Sequence, residues 1–268
     1  MRRIAAWLPL YVFLALIAIL LGSRPGLVRH AFRAAVERAH GGALAPDAPP
    51  SRPDSGEVSL GRLLFFDPIL SANKQRACAS CHMPTRGFSD GRARAVAMDR
   101  SSLPRNAPGL TNVSDQLAFF WDGRAVSLED QIDGPVHAKR EMGGLGGREI
   151  EARLDSIAAY RALFHGVYGG RSPRYADAKR AIAAYERTLR SSGSTADRWW
   201  QGEIAEGSVP AEARRGFDLF AGKAQCSRCH FLPLTTSVVP GAVKSLRQSC
   251  PRASEKNTSS PTRLMAFG

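Results

Sequence analysis

Two five-residue runs, Cys78-Ala79-Ser80-Cys81-His82 and Cys226-Ser227-Arg228-Cys229-His230, constrain this 268-residue chain more than any other feature. Both read Cys-x-x-Cys-His. Two thiols at that spacing add across the two vinyl groups of one haem, and the histidine behind them is placed to ligate its iron. A zinc ribbon would explain two Cys-x-x-Cys pairs but not a histidine directly after each. A thioredoxin-like motif would sit in a βαβ pattern, which the chain lacks. The motifs therefore predict two covalently bound c-type haems. Cys78, Cys81, Cys226 and Cys229 are the attachment points, and His82 and His230 are the proximal iron ligands. Cys250 is left over and is read as an unpaired thiol without a role.

Attachment of c-type haem takes place outside the bacterial cytoplasm, and the N-terminus agrees. Met1-Arg2-Arg3 precedes 18 uncharged residues, Ile4 to Leu21. As a helix they would measure about 27 Å, enough to cross a thin bilayer. A secretory signal has the same grammar, but no Ala-x-Ala follows directly; Ala43-Leu44-Ala45 lies far downstream. Residues 1–22 are thus read as a retained signal anchor ahead of a cleaved signal peptide. Ser23, Pro25 and an apolar side of Leu27, Val28, Phe32 and Val36 predict an amphipathic helix ended by Gly41-Gly42. Its arginines suit either an anionic lipid surface or a solvated stalk. The four prolines of residues 43–55 form a semi-rigid spacer, which completes a linker over residues 23–55. The expected location is periplasmic, tethered to the inner membrane.

The net charge of +13 would otherwise invite nucleic acid as a partner. Its distribution does not. Residues 1–60 carry +3 and residues 235–268 carry +4, leaving +6 on the long middle of the chain. No Lys/Arg run resembles a nucleic-acid arm, and export nearly eliminates that partner.

Between the motifs the pattern is helix and loop. Arg148 to Phe164 has apolar residues at helical spacing, as does Tyr175 to Leu189. Ser208 is expected to cap a helix with Pro210 in its first turn and Gly222 at its end. The expected fold is all-α, with two cytochrome c-type haem domains: an N-terminal one over residues 56–200 and a C-terminal one over 201–268.

Several longer stretches carry a family resemblance: LGRLLFFDPILSANKQRACASCHMPTRGFSDGR (60–92), RNAPGLTN (105–112), FFWDGRAVSLEDQIDGPVHAKREMG (119–143), AIAAYERTLRSSGSTADRW (181–199) and RRGFDLFAGKAQCSRCH (214–230). Over about residues 58 to 234 the chain resembles the bacterial di-haem cytochrome c peroxidases, which include the MauG-type maturation enzymes. The resemblance implies that peroxide reacts at the first haem while the second passes in electrons. It assigns Trp121 to the path between the haems and Gln131 and Glu141 to the distal pocket of the first. There an amide hydrogen-bonds peroxide and a carboxyl group moves a proton between its oxygens. Asn106 matches a calcium ligand between the domains, so calcium is a candidate third cofactor.

Two departures stand out. The loop where these peroxidases commonly carry a distal histidine, RARAVAMDRSSLP (92–104), has none, and Met98 stands near its place. The first iron is expected to be open or weakly ligated by Met98. After Leu234 the resemblance stops. The last 34 residues are rich in Ser, Thr and Pro and show no helical period. An altered reading frame or premature stop is the simplest account of that tail, and a poorly packed, incomplete second haem domain is its expected consequence. Met265 is the one methionine after His230 and the only candidate distal ligand there.

Taken together, these residues predict a peroxidase reducing hydrogen peroxide to water with electrons from a small c-type cytochrome or cupredoxin. A MauG-like di-haem oxidase, a non-enzymatic electron-transfer cytochrome and an inactive truncated product are the rivals. A homodimer is left open.

Overall fold

The computed structural model describes residues 55–116, 118–228 and 230, where all regular structure is helical. In chain order the α-helices are α1 (Ser55–Phe66), α2 (Leu128–His137), α3 (Gly147–Asp155), α4 (Ala158–Val167), α5 (Tyr175–Glu186), α6 (Thr195–Gln201) and α7 (Ala211–Ala221). Short 3-10 turns lie between them, including Cys78–Ser80 and Cys226–Arg228. No strand forms among the described residues. Isolated antiparallel bridges, Met83 with Ser89, Val96 with Ser102 and Phe119 with Ala125, close tight loops instead. The N-terminal segment 1–54, Cys229, and the tail with Cys250 and Met265 lie outside the described residues. So do the anchor, the amphipathic helix and the spacer expected there. Among the described residues no helix is long and apolar enough to cross a membrane.

The core is organised by α1 packed along α5. Gly61 makes that contact: a Cβ added there would lie 1.8 Å from the Ala181 carbonyl oxygen. Ala178, Ala181 and Ala184 keep α5 slim on the facing side, and all three are buried. Two backbones approach this closely only where neither helix carries bulk. Leu64 and Phe65 of α1, Ile182 of α5, Ile150 and Leu154 of α3 and Phe164 of α4 fill the space around the contact. The loop predicted to carry a distal ligand builds a small core of its own from Ala95, Ala97, Leu103 and Ala107, packed against Cys81.

Sequence patterning is corrected in two places. The helical run expected from Arg148 to Phe164 is two helices, because Ile157 is extended (φ −103°, ψ 112°). Ser156 ends the first with its amide on the Ala152 carbonyl, while its hydroxyl donates to the Arg153 carbonyl, a local bond that competes with helix continuation. The bend lets Tyr160 and Phe164 join Ile150 and Leu154 in one core. At α7, Ser208 belongs to a separate 3-10 turn and Pro210 occupies the cap position, one residue ahead of its expected place inside the helix. Gly222 ends α7 as expected.

Candidate functional site

The first Cys-x-x-Cys-His run folds as a tight turn. Its 3-10 segment Cys78–Ser80 is closed by the Cys81 amide on the Cys78 carbonyl at 3.1 Å and by the His82 amide on the same carbonyl at 2.9 Å. Both thiols and the imidazole therefore face one side. Burial pushes the Cys78 thiol up to about 12, helped by the charge of Glu186. It raises the Cys81 thiol as well and lowers His82, keeping that imidazole neutral.

His82 Nδ1 lies 2.8 Å from the Phe88 carbonyl and 3.1 Å from the Pro108 carbonyl. Carbonyl oxygens only accept, so Nδ1 carries the hydrogen and Nε2 keeps its lone pair. That is the tautomer an iron ligand needs, and it is fixed by backbone. Phe88 holds its carbonyl there from a left-handed conformation, φ 59°, directly after Gly87 at φ 61°. For a bulky residue this conformation costs on the order of 1–3 kcal/mol, and it follows a glycine that turns the chain.

Cys78, Cys81 and His82 line a cavity of about 400 Å³. Trp121, Gln131, Glu141 and Asn106 line it too, so the residues singled out from sequence converge on one space. Gln131 sits in the first turn-and-a-half of α2, whose start is fixed by Ser127 accepting from the Asp130 amide at 3.0 Å. Pro135 one turn later supplies no amide toward the Gln131 carbonyl. Glu141 is half-buried; burial raises its carboxyl, and Arg124 opposes that shift. The Trp121 indole donates to the Asn106 carbonyl at 3.3 Å and is 63% exposed among the described residues.

Met98 is not brought to this space; Met142 is. The Met98 amide donates to the Arg140 carbonyl at 2.8 Å, and the Arg76 guanidinium donates to the Val96 and Ala97 carbonyls. These bonds hold the loop to the side. For calcium, no group of three or more His, Cys, Asp or Glu is arranged to hold a metal among the described residues.

The second motif repeats the turn of the first. Cys226–Arg228 is 3-10, and the His230 amide donates to the Cys226 carbonyl at 2.9 Å. Its surroundings differ. Cys226 and His230 are exposed, and no residue of α7 is buried among those described. Phe217 of α7 packs edge-on to Trp199, and Phe220 lies 6.5 Å from the His230 ring.

The model of the family described as di-haem cytochrome c peroxidase matches residues 55–205, more than half of the chain. The chain belongs to the di-haem cytochrome c peroxidase family. The methylamine utilization protein MauG of Methylorubrum extorquens is 43% identical over 188 residues, 69% of this chain and 51% of that protein. The cytochrome-c peroxidase IdrP1 of Denitromonas iodatirespirans is 39% identical, over 67% of this chain and 48% of that protein. Among solved structures, a MauG-like protein associated with microbial copper homeostasis superposes with TM-score 0.62 at 32% identity, covering 73% of this chain and 57% of that one. The chain thus spans about half the length of the curated relatives it matches.

The cofactors of the family are two c-type haems, and the residues present fit that group at the first motif. A cofactor-sized cavity places both thiols and a neutral, correctly tautomeric imidazole on its wall. Sequence reasoning missed two groups on that wall, Arg124 and Glu186. Arg124 lies over the Phe120 ring at 3.4 Å and pairs with Asp122 at 2.8 Å. Glu186 is 5% exposed. A signal for it existed: Glu186 stands four residues after Ile182 and eight after Ala178, on the buried face of α5.

Proposed function

We propose that this chain forms the peroxide-reducing part of a periplasmic di-haem peroxidase, tethered through residues 4–21. It reduces hydrogen peroxide with two electrons and two protons to two molecules of water. A small c-type cytochrome or cupredoxin supplies the electrons. The observation that carries the reading is the convergence of His82, Gln131, Glu141 and Trp121 on one cavity with both thiols of the first motif. A haem held by Cys78, Cys81 and His82 would supply an iron able to bind peroxide and pass electrons to it.

The chain's own groups do the rest. The His82 Nδ1–H, held by two carbonyls, fixes the imidazole so that Nε2 alone is available to ligate. Gln131 offers an amide N–H to peroxide. Glu141, with its carboxyl raised by burial, takes the proton from one peroxide oxygen and returns it to the other, which makes the departing group water and not hydroxide. Trp121 spans the cavity wall and the surface, on the path by which electrons enter. The loop 92–104, carrying no histidine and holding Met98 aside, keeps the peroxide side clear without a prior reduction step. Asn106 at the same wall is the candidate calcium contact.

A second reading, a MauG-like oxidase acting on a protein or organic substrate, is favoured by the 43% identity to MauG. Stopped-flow peroxide turnover with and without reduced donor separates the two. Turnover that rises with donor supports the peroxidase; slow peroxide consumption indifferent to donor supports the oxidase. Electron transfer with no peroxide turnover at all leaves a simple cytochrome.

A further inference from the structure

Glu186 has no part in the peroxide chemistry above, yet it is the acid most deeply placed on the wall of the haem cavity. Its Oε2 has no hydrogen-bond partner. A carboxyl oxygen shut away from water without a partner is costly in its ionised form, and a fold that only needed packing here would be served by leucine or glutamine. The charged and titratable groups around it offer no compensating ion pair. Arg187 follows it in the chain and its charge pulls the Glu186 carboxyl down, but the guanidinium donates to Glu129 of α2 at 2.9 and 3.1 Å, and the Glu129 charge pushes the carboxyl back up. Tyr185 beside it feels Arg62 of α1, and Cys78 of the haem turn feels Glu186 itself.

We propose that Glu186 is the site of a proton taken up when the haem attached at Cys78 and Cys81 is reduced. An electron placed on a haem inside a low-dielectric wall adds a negative charge that the site cannot disperse. A carboxylate in that wall relieves it by binding a proton. One electron comes from the donor redox protein, or from a chemical reductant in a titration. One proton comes from water. Iron goes from ferric to ferrous, Glu186 goes from carboxylate to acid, and the charge of the site is unchanged. Burial already holds the carboxyl at about 8, and the added negative charge raises it further, so the proton is taken up at pH values near and above 8, where the oxidised protein carries the carboxylate.

The inference rests on haem attachment at the first motif and not on the peroxidase reading. It is tested on the holoprotein by optical redox titration at a series of pH values from about 6 to about 10. With one proton per electron the reduction equilibrium changes tenfold per pH unit, about 59 mV. In Glu186→Gln one of the two haem transitions is expected to lose most of that slope while the other is unchanged. Equal slopes in both proteins overturn the proposal. A measurement that needs no variant is the reduced-minus-oxidised infrared difference spectrum of the unsubstituted protein. Gain on reduction of a carboxylic acid carbonyl band sensitive to heavy water supports the proposal, and its absence overturns it. Mass spectrometry of the peptide holding Cys78 and Cys81 separates the two levels. A peptide without haem overturns the attachment and the proposal together, whereas haem present with a pH-independent potential overturns the proposal alone.

Discussion

The Arg140 guanidinium donates to the Ser101 hydroxyl at 2.7 Å and to the Ser102 carbonyl at 3.1 Å, while the Arg140 carbonyl receives the Met98 amide. One residue therefore ties the loop over the first haem turn to the segment that presents Glu141. Arg140→Ala removes both side-chain bonds, each worth about 1 kcal/mol, and is expected to lower peroxide turnover about tenfold by loosening Glu141. Hydrogen exchange across residues 95–103 should rise in parallel. Lysine keeps the charge but not the fork, so Arg140→Lys should restore only part of the rate.

In the proposed reaction Glu141 is expected to set the pH dependence. Acting as a base toward peroxide, it must be ionised in the free enzyme. The rate kcat/KM therefore falls as pH drops through its pKa, a limb displaced above the ordinary carboxylate range by burial. Glu141→Gln should abolish the limb and cost on the order of 10²–10⁴ in rate. Arg124→Gln removes the cation that opposes the shift, so the limb should move to still higher pH with the loss in kcat much smaller.

Helix α1 can be tested through Gly61. A methyl group at this position meets the Ala181 carbonyl far inside contact distance, and backbone cannot swing away as a side chain can. Gly61→Ala is expected to lose about 1–3 kcal/mol or more, despite alanine's better helix propensity, and to lower the thermal midpoint by several degrees.

Glu186 also shapes stability. In the unfolded chain it titrates near the ordinary glutamate value, in the folded chain at about 8. Between those values the folded state holds the extra proton, so stability falls as pH rises through that window and levels off above it. Glu186→Gln should flatten this part of a melting-temperature profile and be the more stable protein at alkaline pH.

Much of this site is written locally. The two Cys-x-x-Cys-His turns are set by bonds within five residues, and Ser127 and Gly222 mark helix boundaries by their own backbone chemistry. The convergence of Trp121, Gln131 and Glu141 followed from family motifs, since no spacing rule brings residues ten apart to one cavity. Other features depend on partners distant in the chain. The split between α3 and α4 answers to a core that wants Phe164 beside Ile150, which periodicity alone reads as one continuous face. The exclusion of Met98 depends on Arg140 and Arg76, and no one-dimensional pattern shows which carbonyls those guanidinium groups will find. Glu186 was readable from its place on the buried face of α5, but only its missing partner makes it chemistry and not packing.

The second Cys-x-x-Cys-His turn keeps the hydrogen bond of the first from the histidine amide to the first cysteine carbonyl, 2.9 Å in each, although Cys226 is exposed and Cys78 is half-buried. A shape that survives such different surroundings is a property of five residues and not of a domain. Presenting two thiols and a histidine to a haem therefore asks only that five residues turn, and not that a surrounding core be complete.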